Sequence, residues 1–283
     1  MVVEYVINVF KAEKKPWELM ILGFLYCSIA IFLGNWIFTN HLSMVVILLT
    51  VMAALPLFYD SLRYEEQKDI SIADEVKLLK EHERLFLAMS FLFLGFIIGF
   101  SFWYIALPRE TVENVFLAQT QTIAAINSPT GNFQSQVNVF SLIFLNNVKV
   151  LLFCVFFSFL YGAGALFILT WNASVVGTAI GNFFRTEIAR FSLTFGFTSL
   201  YYYFRAYSLS ILRYLVHGIP EICAYLIAGL AGGIISTAIV RHDVTSKNFE
   251  RVVIDTADLL IISLVMLFVA AIIEVFITPL FFQ

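Results

Sequence analysis

The chain has 283 residues, 60% hydrophobic and only 13% charged, with a formal net charge of -3 and a mean hydropathy of +0.89. A soluble domain carries about a quarter charged residues, and a water-facing fold could not hide 31 phenylalanines; a soluble enzyme and a disordered chain are therefore excluded. There is no basic excess to favour nucleic acid as a partner, so the composition predicts an all-α, polytopic bundle of transmembrane helices in the cell membrane, in contact first of all with the lipid bilayer.

A span needs roughly 20 consecutive apolar residues at about 1.5 Å rise each. Residues 17–38 satisfy this with only Glu18 at the edge, and 39–41 leave room for nothing but a tight hairpin into a second run, 42–59. Residues 60–84 hold eight of the twenty acidic residues and five basic ones. There Ile72, Val76, Leu79 and Phe86 recur near helical spacing, which predicts a helix running into the third span, 85–107. The polar stretch 108–139 carries Val112, Val115, Phe116, Ile123 and Ile126 as an imperfect apolar face suited to a membrane surface. Residues 127–132 read as a turn.

The run 150–171 is uncharged and reads as the fourth span. The stretch 172–216 is ambiguous. Its apolar pieces, 173–184 and 192–204, are each short for a span, and Arg185, Glu187 and Arg190 separate them. One reading makes the first a short or re-entrant helix and lays the second in the interface, where Tyr201, Tyr202 and Tyr203 suit the headgroup level. The other joins parts of both into one distorted span; a short seventh crossing closes the topology. Residues 222–240 follow His217, Gly218, Ile219, Pro220 and Glu221, and 259–282 carry Glu274 alone. The expectation is six to seven spans with one short or re-entrant segment.

Lysine and arginine crowd the amino terminus (Lys11, Lys14, Lys15), the 60–84 loop and the 241–258 loop, whereas 108–139 has only Arg109. The positive-inside rule then places the amino terminus in the cytoplasm and the carboxyl terminus outside. Arg185, Arg190, Arg205 and Arg213 run against this assignment. The first apolar run is too long for a cleavable leader. Cys27, Cys154 and Cys223 are far apart in apolar runs and suggest neither a disulfide framework nor a metal knuckle. Three small-residue pairs, Gly95/Gly99, Gly177/Gly181 and Gly229/Gly233, permit close helix packing, within the chain or in a homo-oligomer.

Charged groups at membrane depth cost at least ~2.5–3.5 kcal/mol, so Asn146, Asn147, Lys149, His217, Glu221 and Glu274 each require a reason. On the topology above they fall at one depth in the outer half of the bilayer, a candidate intramembrane polar site. Each also has a plainer reading. Pro220 and Glu221 suit a helix start, the asparagines could bond between helices, and Lys149 could snorkel. Lys149 pairing with Glu221 or Glu274 would relieve both charges. His217 and the two carboxylates could hold a cation, but the repeated spacing of a metal motif is missing. No nucleotide loop, nucleophile elbow or dinucleotide fingerprint occurs, so no catalytic residue and no cofactor are expected, and any ATP hydrolysis would fall to another subunit.

The order Phe144, Leu145, Asn146, Asn147; Asn172 with Val176 and Gly177; His217 to Glu221 with Ala224 and Gly229; and Ile273 to Pro279 resembles the stage II sporulation protein M family (SpoIIM-like integral membrane proteins) over residues 140–283. Residues 1–139 are then an amino-terminal membrane region of three spans joined to a SpoIIM-like core. The family's recurrent positions correspond to Asn146, Asn147, Asn172, His217, Gly218, Glu221, Glu274 and Pro279. The resemblance implies a polytopic fold and a non-enzymatic scaffold or assembly factor, docking a membrane or extracytoplasmic protein through 108–139 or 60–84. The alternative is a permease, or the membrane subunit of a transporter, with Glu221 and Glu274 as cation or proton sites. Hydrolysis within the membrane by His217 and Glu221 carries least weight.

Overall fold

A computed structural model describes residues 15–38, 40–71, 75–127, 136–158, 163–195, 200–241 and 247–281, and among these every regular element is helical. In chain order they are α1 (Pro16–Ile37), α2 (Leu42–Ser71), α3 (Glu75–Ala106), α4 (Arg109–Val115), α5 (Leu117–Asn127), α6 (Gln136–Ser158), α7 (Ala163–Phe195), α8 (Leu200–Arg241) and α9 (Lys247–Ile272). A π-turn, Ile273–Ile277, extends α9 into the single turn α10 (Thr278–Phe281). Seven stretches are long and apolar enough to cross a membrane: Pro16–Ile37, Leu42–Tyr64, Glu83–Ala106, Gln136–Ser158, Ala165–Ser192, Gly218–Ser236 and Phe249–Leu280. The protein is an all-α polytopic bundle.

Helices are forced here because a bilayer offers no water to the backbone, whose N–H and C=O groups must pair within the segment. The same rule explains how hydroxyls sit in the spans. Thr50, Ser61, Thr170 and Thr256 are buried, and each donates to the carbonyl one turn back, on Val46, Leu57, Leu166 and Val252. The hairpin between α1 and α2 is closed by His41, the one described non-glycine residue with positive φ, at 55°.

With lipid outside and no hydrophobic drive between spans, close approach at small residues supplies the packing. A Cβ on Gly95 would meet the Met20 backbone, and one on Gly99 the Cys27 sulfur, so α1 lies directly on α3. Gly177 and Gly181 face Phe100 and Tyr104 of α3, Gly229 faces Ala165, and Gly233 faces Leu62. All six glycines of the three pairs thus face other helices of the same chain. A continuous core containing Phe58, Phe93, Phe96 and Phe100 joins α1 to α9. Cys27 and Cys154 are buried free thiols, and Cys223 is a half-buried one.

Several boundaries differ from those expected. Residues 150–171 are two pieces of different helices, because α6 stops at Ser158 and α7 starts at Ala163. The run is apolar throughout, and hydropathy alone cannot register that it is shared between two helices. Residues 173–184 are neither short nor re-entrant; they form the middle of the full span Ala165–Ser192. The His217–Glu221 run does not start a helix but lies inside the 42-residue α8, with Pro220 in its interior.

The expected membrane-surface face of 108–139 is also corrected. Val112, Val115 and Phe116 are buried in the bundle, Phe116 with its ring 5.2 Å from Tyr104 and 6.4 Å from Phe100. Buried Gln119 donates to Ser174 at 3.2 Å, well below the end of α3, where the carbonyls of Ile105 and of Leu107, just past the helix, accept from Arg185. Along α7 the step from Arg185 back to Ser174 is about 16 Å at 1.5 Å per residue. It is therefore α4 and α5 that re-enter the bundle, because aromatic surface gains more against α3 than at a wet interface. The expected helix leading into the third span is present, since α3 begins at Glu75; Ile72 lies outside the described residues, as does most of the turn at 127–132.

Candidate functional site

Asn146 and Asn147 stand midway along the 23-residue α6 rather than at its start. Neighbouring residues on a helix point about 100° apart at 3.6 per turn, and here the two amides part company. Asn147 is 7% exposed and turns to α8, where its Nδ2 donates to Glu221 Oε1 at 2.5 Å. The Glu221 carboxyl also lies beside that of Glu274, close enough for the two to interact directly. Three helices, α6, α8 and the end of α9, thus bring one amide and two half-buried carboxyl groups together inside the spans.

The local backbone is irregular on two sides of this cluster. Pro220 has no N–H, so the Val216 carbonyl loses its helical donor one residue before Glu221. Glu274 lies within the π-turn, where the Thr278 N–H bonds five residues back to the Ile273 carbonyl. Pro279 follows at once; its ring would crowd the carbonyl four residues earlier, on Val275, and the wider turn relieves that clash. Among the described residues, the space that a Cβ on Gly218 would occupy is open, one turn before Glu221. Two carboxyl groups in contact can share a proton, and the amide donor fixes the orientation of one of them.

The remaining expected residues do not join this cluster. Lys149 is exposed on α6, and among the described residues no ion pair links it to Glu221 or Glu274; Asn147 takes the place expected of the cation. Asn146 is exposed and faces away, toward α5 and α7. The backbone of His217 is in α8, but its side chain lies outside the described residues. Among those residues no group of three metal-ligating side chains gathers. Sequence reasoning did not anticipate the π-turn, for which only Pro279 gives a signal. Nor did it find Thr122, which lines a cavity with Asn146 and Asn172, because α5 read as a surface helix.

The family model for stage II sporulation protein M matches residues 88–279, about two thirds of the chain. The chain belongs to this family. The SpoIIM match begins within α3 and so takes in the re-entrant α4 and α5 as well as the part from residue 140 onward. It contains Asn147, Glu221 and Glu274, whereas α1 and α2 lie outside it. No curated protein and no solved structure matches the chain.

Proposed function

We propose that this SpoIIM-family protein is a non-enzymatic permease, or the membrane subunit of a transporter, in which Glu221 and Glu274 bind and pass a proton or small cation. The contact between the two carboxyl groups inside the spans carries this reading. Ionisable groups at membrane depth are costly and mark ion or proton paths, and irregular helix turns beside a midplane site are how transporters expose one. Asn147 orients Glu221, and the π-turn positions Glu274. The amino terminus is cytoplasmic and, with seven crossings, the end of α9 lies outside.

Reconstitution into proteoliposomes with an internal pH dye, under a valinomycin-set potassium diffusion potential, tests the proton case. Proton entry is expected with the native chain and lost in Glu221→Gln and Glu274→Gln. No entry at all, or entry unaffected by both substitutions, rejects it.

The second reading, a scaffold or assembly factor, is favoured by a different feature. The span Gly218–Ser236 occupies only the second half of α8. The first half continues beyond it beside the end of α7, held by the ring pairs Phe191–Tyr202 and Phe184–Tyr207. Tyr201, Tyr203 and Phe204 remain exposed on this arm, a surface for an extracytoplasmic protein. Crosslinking from photoreactive groups at Tyr201 and Phe204 in native membranes should recover one stoichiometric partner; failure at both sites counts against it.

A further inference from the structure

Where the chain leaves α3 and turns back through α4 and α5, a cavity of about 510 Å³ lies between these helices and the far part of α7. Pockets for small molecules occupy roughly 300–1,000 Å³. Its polar lining includes Tyr104, Arg109, Glu113, Thr120, Asn182 and Arg185. From Ala165, where the span of α7 begins, to Arg185 is about 30 Å at 1.5 Å per residue, the thickness of a hydrocarbon core. Arg185 also reaches the carbonyls at the end of α3. Both measures put the cavity at headgroup level, on the outer side in the proposed orientation.

The pairing of the lining side chains sets the sign of an occupant. Arg109 is matched by Glu113, one turn along α4, at 2.8 Å. Arg185 is half-buried and has no acidic partner among the described residues. Its Nη2 donates to the carbonyls of Ile105, at 3.0 Å, and of Leu107, and its guanidinium carbon lies 5.5 Å from the centre of the Tyr104 ring. These contacts hold the guanidinium plane, yet capping α3 occupies only Nη2. The N–H groups of Nη1 and Nε are left for the cavity that Arg185 lines. Asn182, nearly one turn earlier on α7, adds an oriented donor. Its Oδ1 accepts from the Tyr104 hydroxyl at 3.3 Å, so its Nδ2 is left to donate elsewhere. A fixed guanidinium fork beside such an amide is complementary to an oxyanion. The positive-inside rule disfavours arginine on this side of the membrane, and a binding role accounts for its presence there.

We propose that this cavity is a binding site for a phosphate group, received by Arg185 and Asn182. Phosphate is the oxyanion that a bilayer presents at this depth. It arrives either on the headgroup of an anionic lipid or on a phosphate monoester in solution, and the recognition chemistry is the same for both. The Thr120 hydroxyl, brought in by the re-entrant α5, supplies a further donor. Glu113 opposes the anion, and its pairing with Arg109 limits that repulsion. The site is separate from Glu221 and Glu274, which belong to α8 and the π-turn.

The test uses the full chain in two arms. In nanodiscs of phosphatidylcholine alone, glycerol phosphate is titrated by calorimetry. In nanodiscs of equimolar phosphatidylglycerol and phosphatidylcholine, retained lipid is counted by native mass spectrometry after release. Saturable heat in the first arm identifies a soluble source, and preferential retention of phosphatidylglycerol in the second identifies a lipid. In the arm that binds, Asn182→Asp should weaken binding roughly tenfold, the ratio that corresponds to ~1.4 kcal/mol. It replaces the amide donor by a carboxylate and keeps the oxygen that accepts from Tyr104. Arg185→Gln should abolish binding. Glu113→Gln should tighten it by removing the opposing charge and releasing Arg109, a gain that a merely structural Arg185 would not produce. Glu221→Gln should leave binding unchanged even where it abolishes proton entry, so the two proposals fail separately. No binding in either arm, or binding indifferent to Asn182→Asp and Glu113→Gln in chains that still elute as folded species, would overturn the proposal.

Discussion

Asn146 and Asn147 are chemically identical neighbours with opposite surroundings, because a helix turns them to different sides. Asn147 pairs with Glu221, and Asn147→Leu leaves that carboxyl without its donor inside the bundle. The expected loss is ~1–3 kcal/mol, read as a lower thermal midpoint in detergent, whereas Glu221→Gln can keep the amide contact and should alter stability less. Two glycines make a second contrast. A Cβ on Gly95 meets the Met20 carbonyl, and one on Gly218 meets nothing within 4 Å among the described residues. Gly95→Ala should therefore force α1 off α3 at a cost of ~1–3 kcal/mol. Gly218→Ala should be neutral, or stabilising by up to ~1 kcal/mol through helix propensity. Equal effects in the two variants would mean that the α1–α3 contact is looser than described.

Among the elements, α6 shows how a partner overrides a penalty. Polar residues in mid-helix argue against a span when each is costed alone, and the uncharged run expected as the fourth span starts only after Lys149. The structure begins α6 at Gln136, because the bond from Asn147 to Glu221 offsets the burial. The end of α9 makes a second case. Pro279→Ala restores an N–H that can bond to the Val275 carbonyl and removes the ring that widens the turn. The π-turn should then relax to a regular helix and rotate Glu274 away from Glu221. Disulfide crosslinking of a Cys pair at 221 and 274 should fall several-fold in the Pro279→Ala background, and unchanged crosslinking would show that the turn has another cause. At the α1–α2 hairpin, His41 occupies the left-handed region, which a residue with a side chain enters at a cost of about 1–2 kcal/mol. His41→Gly should raise the thermal midpoint, and His41→Val should lower it.

At the level of the whole molecule, seven helices among the described residues are long and apolar enough to cross a membrane, and the proposed orientation makes α4 and α9's distal end external. Single cysteines at Arg109 and Lys247, in a chain lacking the three native thiols, should react with a membrane-impermeant maleimide from opposite faces of the cell membrane, Arg109→Cys from outside. Labelling of Lys247→Cys from outside would invert the topology. The solvent and the helical class were legible in composition alone, since few charges and long apolar runs admit no other backbone than one that pairs internally. The first three spans, the α1–α2 hairpin and the small-residue pairs could be read from local sequence for the same reason. The family resemblance was legible in short motifs around Asn147, Glu221 and Pro279, and the match from residue 88 extends it. Other features depend on contacts between segments far apart in the chain. The burial of Phe116 against Phe100, the re-entry of α5 onto Ser174, the division of 150–171 between α6 and α7, and the separation of Asn146 from Asn147 are all of that kind. Sequence can determine that a polar residue in lipid must have a partner, but only the packed bundle decides which group lies close enough to be one.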